Sequence, residues 1–384
     1  MGKDAFEITV NIVKMFVIFL MMVQAVPILV WLERRGSAFI QNRTGPNRVG
    51  PLGLIQLLAD AVKFLFKQPF LPEKGVAPLY YFAPVMALIP GALALNSIPL
   101  STPIKIEPFA MFGEMWGPYT FLFQGYDIGI GIVFILGISS LGVYSILLAG
   151  WGSSNKYSLM GAVRGAAQGI SYELALSLAL VGILMVYGTL SFREIVESQQ
   201  GVLSFMAFGK EHVISFLPNW GIFYQPLGAL IFFAATFAEA NRLPFDLPEA
   251  EGELVAGFHT EYGGFNLLLF YIGEYGHMMV ASALLATFYF GGYSIPGVTL
   301  EEMNSFWLAK VGSANGAAIL TAVSFHLSLL ARVAIFLWIF IHVRWTLPRF
   351  RYDQLMSLGW KTMLPWALAN VIVTAVWLWL GHRT

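Results

Sequence analysis

AEANRLPFDLPEAEGELVAGFHTEY, residues 238–262, is the most acidic run in a chain otherwise dominated by apolar side chains. It holds Glu239, Asp246, Glu249, Glu251, Glu253 and Glu261, with Arg242 as its one fixed cation, and long apolar segments flank it on both sides. Two readings compete. Acidic runs between helices are commonly solvated surface. Packed against a membrane, the same carboxylates lose water and crowd one another, and both effects raise their pKa values toward neutrality, where protons can be taken up and released.

The flanks set the fold class. Of 384 residues, 57% are apolar and 11% charged, far below the ~25% charge content of soluble domains. The sequence therefore predicts an all-α polytopic membrane protein, a single integral membrane domain over 1–384. By the length needed to cross a bilayer core, it predicts about eight transmembrane helices, at 10–31, 78–98, 128–150, 168–188, 223–240, 264–290, 317–343 and 364–381. The first segment is too long for a signal-peptide core and no small-residue cleavage site follows it, so it reads as a helix. Lysines and arginines concentrate in the loops after segments one, three, five and seven, fourteen against six on the other face. The positive-inside rule then makes the odd-numbered loops cytoplasmic, the acidic run among them, and both termini extracytoplasmic.

Composition also excludes chemistry. With 22 basic and 22 acidic residues, net charge points to no nucleic acid and no acidic partner. There is no cysteine, which removes thiolate-ligated iron–sulfur clusters, cysteine zinc sites and disulfides; any electrons must come from another subunit. No spacing such as HExxH suggests a metal.

Between segments one and two, residues 51–67 are apolar but too short to span. Gln56, Asp60, Lys63 and Lys67 recur at four, three and four residues, one polar stripe on an amphipathic surface helix. Such a helix can be a plain anchor, yet Asp60 lies mid-stripe, close in sequence to the Arg-rich turn. Gly161, Gly165 and Gly169, four apart, read as close packing rather than a nucleotide loop. The aromatic and proline-rich stretch 99–127 reads only as a packed cap. Inside the apolar segments lie Glu173 and Glu274, with His277, His326 and Arg332 at similar depths. An ionised group there costs about 2.5–3.5 kcal/mol on insertion scales, so each glutamate is expected to face a partner or a water-filled path. For the histidines a packed, hydrogen-bonded role is the plainer expectation. Arg332 is either a counter-charge or a brace.

Four motifs carry a resemblance: ERRGSAFIQNRTGPNRVGPLGLIQLLADAVKFLFK (33–67), WGSSNKYSLMGAVRGAAQGISYE (151–173), NRLPFDLPEAEGELVAGFHTEY (241–262) and PRFRYDQLMSLGWK (348–361). In this order, and over nearly the whole chain, they resemble the H subunits of bacterial respiratory complex I and the mitochondrial NADH dehydrogenase subunit 1. The resemblance implies a subunit of a proton-pumping NADH:quinone oxidoreductase in the bacterial inner membrane, at the joint of its two arms, with quinone as substrate. FMN and iron–sulfur clusters are then expected only in partner subunits, the terminal cluster in a hydrophilic subunit at the quinone site, with small membrane-arm subunits and lipid as further neighbours. Carried over residue by residue, the acidic relay is Glu249, Glu251 and Glu253 on the loop, then Glu239, Glu173 and Glu274, with Asp60 near the quinone chamber. Arg34, Arg35, Arg43 and Arg48 are expected at its mouth, and Phe245 and Phe258 against the quinone. The family's central helices resemble an antiporter half-channel. A membrane subunit of an energy-converting hydrogenase, a stand-alone ion antiporter and a structural anchor are the alternatives.

Overall fold

The fold was obtained as a computed structural model that describes residues 3–106, 109–111, 114–116, 119–207 and 210–381. Side chains are described for these except at 3–5, 106, 109–111, 114–116, 206–207, 210–211 and 251.

Helices dominate, as the apolar composition requires where lipid leaves the backbone no other partner. A long first helix, α1 (Lys3–Ile40), leads through a single 3-10 turn at Pro51–Gly53 into the amphipathic α2 (Gln56–Phe66). Then come α3 (Ala77–Ser97) and the pair α4 (Gly131–Ser139) and α5 (Leu141–Gly152), which break at Ser140 what the apolar pattern presents as one segment. The next helix, α6 (Lys156–Tyr187), begins twelve residues before the expected start at 168, because Asn155 caps it by accepting a hydrogen bond from the Tyr157 amide. Short α7 (Phe192–Ser198) and α8 (Gly221–Tyr224) precede α9 (Pro226–Glu239), and α10 (Glu251–Leu254) lies within the acidic run. The chain closes with α11 (Gly264–Tyr289), a peripheral α12 (Leu300–Val311), α13 (Ala314–Thr346), α14 (Tyr352–Ser357) and α15 (Leu364–Gly381).

Among the described residues seven helical stretches are long and apolar enough to cross a membrane. The fifth expected span is the exception. Its helix, α9, has 14 residues, about 21 Å at the usual rise, short of a hydrocarbon core of ~30 Å. A proline fixes its start, and it gives way at Ala240 to the acidic loop, where Asn241 takes a positive φ. The extramembrane loops add three two-stranded antiparallel sheets that a purely helical reading omits: 104–106 with 119–121, 109–111 with 114–116, and 202–207 with 210–218.

The main core joins α1, α6, α9, α11 and α13, while a second cluster around Tyr80, Phe258, Tyr262 and Phe270 clamps the acidic run against α3 and α11. Tyr262 stacks on Tyr80 with centroids 4.3 Å apart. The glycine stripe serves this clamp. A side chain at Gly161 would come within 2.7 Å of the Pro248 carbonyl, one at Gly165 within 2.7 Å of the Pro248 ring, and one at Gly169 within 2.7 Å of Val143. Two of the three glycines therefore admit the loop and the third admits a helix. Gln168, fully buried, donates to the carbonyls of Ala238 (2.8 Å) and Phe245 (2.6 Å). The acidic run is consequently a packed part of the bundle, not a wet connector.

Candidate functional site: two cavities sharing a glutamate

A cavity of about 540 Å³ opens between α1, α2 and α11, a size suited to a small organic ligand. One flank is apolar, with Val26, Pro27, Leu57, Phe64 and Ile272; Leu58, two-thirds exposed, marks its outer rim. The opposite end gathers Glu33, Arg242, Asp246, Glu249, Glu274 and Arg344. A second cavity of about 60 Å³ lies behind it, lined by Glu173, Glu239, Glu274, His277, Ser139 and Asn241 among others, with room for a few waters. Glu274 and Asn241 belong to both walls.

The charges at the shared end form one network. Glu33, on the last turns of α1, accepts from the Tyr275 hydroxyl at 2.8 Å and from Arg344 at the end of α13. Arg242 Nη1 lies 3.6 Å from Glu33, its Nη2 lies 4.0 Å from Glu274, and its guanidinium covers the Tyr275 ring at 4.1 Å. Arg349 donates to Asp246 at 2.9 Å. His259 is inserted between two carboxylates, Nδ1 at 3.1 Å from Glu249 and Nε2 at 3.8 Å from Glu274. Glu249, His259 and Glu274 converge within 4.8 Å, the spread of a metal triad. However, the ring turns a different nitrogen to each carboxylate, and Arg242 already lies against Glu274, so the arrangement is a bridge rather than a shared metal shell.

Four carboxylates (Glu33, Asp246, Glu249, Glu274) thus meet three guanidiniums (Arg242, Arg344, Arg349), leaving one negative charge for a proton to balance. The loop carboxyls diverge accordingly. Burial, then the charge of Glu249, pushes Asp246 up to about 7 against the pull of Arg349 and Arg344. Burial also opposes ionisation of Glu249, but the hydrogen bond and charge of His259, with Arg242 and Arg344, bring it down to about 2. A carboxyl with a raised folded pKa stabilises the fold when protonated. Asp246 therefore withdraws stability as pH rises from the unfolded value near 3.9 through about 7, whereas Glu249 gives its own up only below about 4.3. Amide exchange over 246–260, corrected for intrinsic rates, is expected to be faster at about pH 7.5 than at about pH 5.5; equal protection would show that Asp246 keeps its charge.

Not every expected residue converges here. Glu249, Glu274, Asp60 and Arg34 line the large cavity, and Glu173 and Glu239 the small one. Asp60 finds its partner in the Arg-rich turn, as Arg34 donates to it at 2.5 Å and Gln56 adds 3.0 Å. Arg35 instead donates to the Leu52 carbonyl and lies over Trp31, Arg43 binds Gln41, and neither these nor Arg48 lines the cavity. Glu253, half-exposed, pairs with Arg164 at 2.6 Å; the side chain of Glu251 lies outside the described residues. Phe245 is buried against Tyr172 and Phe350, and Phe258 faces the small cavity, so neither aromatic lines the large one. Arg332 is a brace, giving its guanidinium to the carbonyls of Gly292 and Ser294 over the Trp220 ring. Glu33, Tyr275, His259, Arg344 and Arg349 are the contributors that sequence reasoning passes over. Their one visible signal is placement: each ionisable member adjoins or interrupts an apolar segment.

The chain matches the NADH dehydrogenase family over residues 13–375. It is 65% identical over 382 residues to the H subunit of the NADH-quinone oxidoreductase of Bdellovibrio bacteriovorus, covering 99% of each chain. To the second of the H subunits named for the NADH-quinone oxidoreductase of Koribacter versatilis it is 40% identical, over 98% of this chain and 99% of that one. To NADH-quinone oxidoreductase subunit 8 of Rhodothermus marinus it is 42% identical, over 94% and 95%.

Proposed function

Since the chain belongs to the NADH dehydrogenase family and is a membrane subunit of an NADH-quinone oxidoreductase, we propose that its large cavity is the membrane-side part of a quinone chamber. The acids behind that cavity are then the start of a proton relay. The observation that carries this reading is the sharing of Glu274 and Asn241 by the two cavities. An isoprenoid tail suits the apolar flank between α1 and α2, and a quinone head group suits the charged end. Reduction of the head places negative charge beside Glu33, Glu249 and Glu274 until protons reach it, and water exclusion strengthens that repulsion. Glu274 then changes its proton occupancy, and through the small cavity Glu239 and Glu173 follow.

Electrons in this reading come from hydrophilic partner subunits that hold FMN and iron–sulfur clusters, the terminal one close to the chamber. The exposed Arg43, Arg48 and Glu253 belong to the face those subunits cover. In this reading the chain sits in the bacterial inner membrane; the distribution of lysine and arginine puts the acidic loop in the cytoplasm and both termini outside, which requires α8 and α9 together, residues 221–239, to complete the fifth crossing.

In the assembled complex in sealed vesicles, Glu173→Gln is expected to lower the protons moved per quinone reduced, with co-purification of the partner subunits as the check on assembly. Native stoichiometry in that variant would remove Glu173 from the relay. Cation transport by the chain purified alone would favour the antiporter reading instead.

A further inference from the structure

Two buried polar atoms face each other with no hydrogen-bond partner among the described residues: Nε2 of His259 and Oε1 of Glu274. They are 3.8 Å apart, beyond hydrogen-bond length. His259 is 8% exposed, and the rings of Phe258 and Phe270 hold it at 3.9 and 5.3 Å. Leaving two such buried atoms unsatisfied is unfavourable, and a movement of under about 1 Å would satisfy both. The other ring nitrogen is already engaged by Glu249.

We propose that His259 is the proton carrier between the loop carboxylate Glu249 and the membrane carboxylate Glu274, and that the open His259–Glu274 contact is the gate of the relay. The inference rests on the reading of the two cavities as a chamber and a proton relay. When the imidazole carries both protons, Nδ1–H is held by Glu249 and Nε2–H points at Glu274. Closing the gap breaks the Nε2–H bond and forms an O–H bond on Glu274, leaving a neutral ring with its proton on Nδ1. A turn of the neutral ring then brings its protonated nitrogen to Glu274 and its free nitrogen to Glu249, which lines the large cavity and there gives up its carboxyl O–H proton to form the ring's new N–H bond. Balance is kept, since one proton leaves the ring and one arrives on Glu274.

The surroundings suit a gate. The groups facing the ring are Glu249 from its own loop and Glu274 and Tyr271 from α11, with Arg242 and Arg344 beyond the carboxylates. Arg242 draws Glu274 toward Glu33 and away from the ring. Negative charge arriving in the cavity competes for Arg242 and Arg344, which frees Glu274 to approach His259. The loop that carries His259 turns at Gly257, whose positive φ lets the backbone pass so close to Pro248 that a side chain there would collide with its carbonyl. The imidazole is thus mounted on a closely packed turn.

The test uses the assembled complex in sealed vesicles, measuring proton uptake or release together with quinone reduction. His259→Ala is expected to slow coupled proton translocation by about tenfold or more, since proton-transfer groups contribute at least that much. Added imidazole is expected to restore it, whereas pyrazole, of the same shape but far less basic, is not. His259→Gln, which keeps a hydrogen-bond donor toward Glu249 but cannot carry a proton, is expected to match His259→Ala before rescue. Equal rescue by both heterocycles, native coupling in either variant, or failure of both variants to assemble would give the ring a packing role and overturn the proposal. A deficient Glu274→Gln beside a competent His259→Ala would sink only this inference; a competent Glu274→Gln would sink the relay itself.

Discussion

Glu274→Gln is expected to reduce quinone-coupled proton translocation by roughly a hundredfold, the lower range of what a positioned acid–base group supplies. The substitution keeps the volume and hydrogen-bonding shape of the side chain while removing its capacity to hold and release a proton. Among the described residues Glu274 and Asn241 alone line both cavities, and of the two only the glutamate titrates, so a proton leaving the large cavity by this route has no parallel ionisable step. Its neighbours limit structural damage. Arg242 retains Glu33 at 3.6 Å and the Tyr275 ring beneath it, so the guanidinium is not stranded when the second carboxylate becomes an amide. Partner subunits should co-purify with the variant, and the defect should appear in translocation measured against quinone turnover. Translocation at the native rate would mean that protons bypass the wall between the cavities.

Much of this site is legible without the fold, and the reason is energetic. A charged residue in a 57% apolar chain announces itself, because lipid punishes it; Glu173 and Glu274 stand out that way, and together with Glu239 from the acidic run they line one small cavity. The Asp60 stripe is legible from its periodicity, and its partner from its nearness in sequence. What stays hidden depends on contacts between distant segments. Glu33 and Arg344 are 311 residues apart, and in the sequence Arg344 counts only as a cation for orientation although it ends a spanning helix inside the network. Phe245 is set against the quinone by the resemblance alone; the turn between α9 and α10 carries it behind the loop onto Tyr172, away from the large cavity. The length of α9 and the break at Ser140 are masked because composition reports apolar runs, not where a helix stops within one.

The remaining large effect concerns stability. Arg242 is 6% exposed, and its Nε and Nη2 have no hydrogen-bond partner among the described residues, so its contribution is electrostatic and through the face of Tyr275 rather than through directed bonds. Burial disfavours the charged guanidinium, but Tyr275, Glu33 and Glu274 outweigh it and raise its pKa further; it remains a cation at any working pH. Taking away one member of a buried ion cluster commonly costs about 3–5 kcal/mol because the partners stay charged and unpaired. Arg242→Met, which fills similar space, is therefore expected to lower the thermal transition of the purified complex by the largest amount of any single change at this site. Arg344 still holds Glu33, so the penalty falls mainly on Glu274, which among the described residues keeps the open contact with His259 as its remaining ion pair. Protonating that carboxyl relieves it, and the deficit relative to the native protein should shrink as pH falls. Arg242→Lys keeps the charge but loses the flat contact with Tyr275, and its transition should lie between the two. A methionine variant as stable as the native protein, with no dependence on pH, would show that Glu274 is already neutral and that the cluster carries one charge fewer than its residues offer.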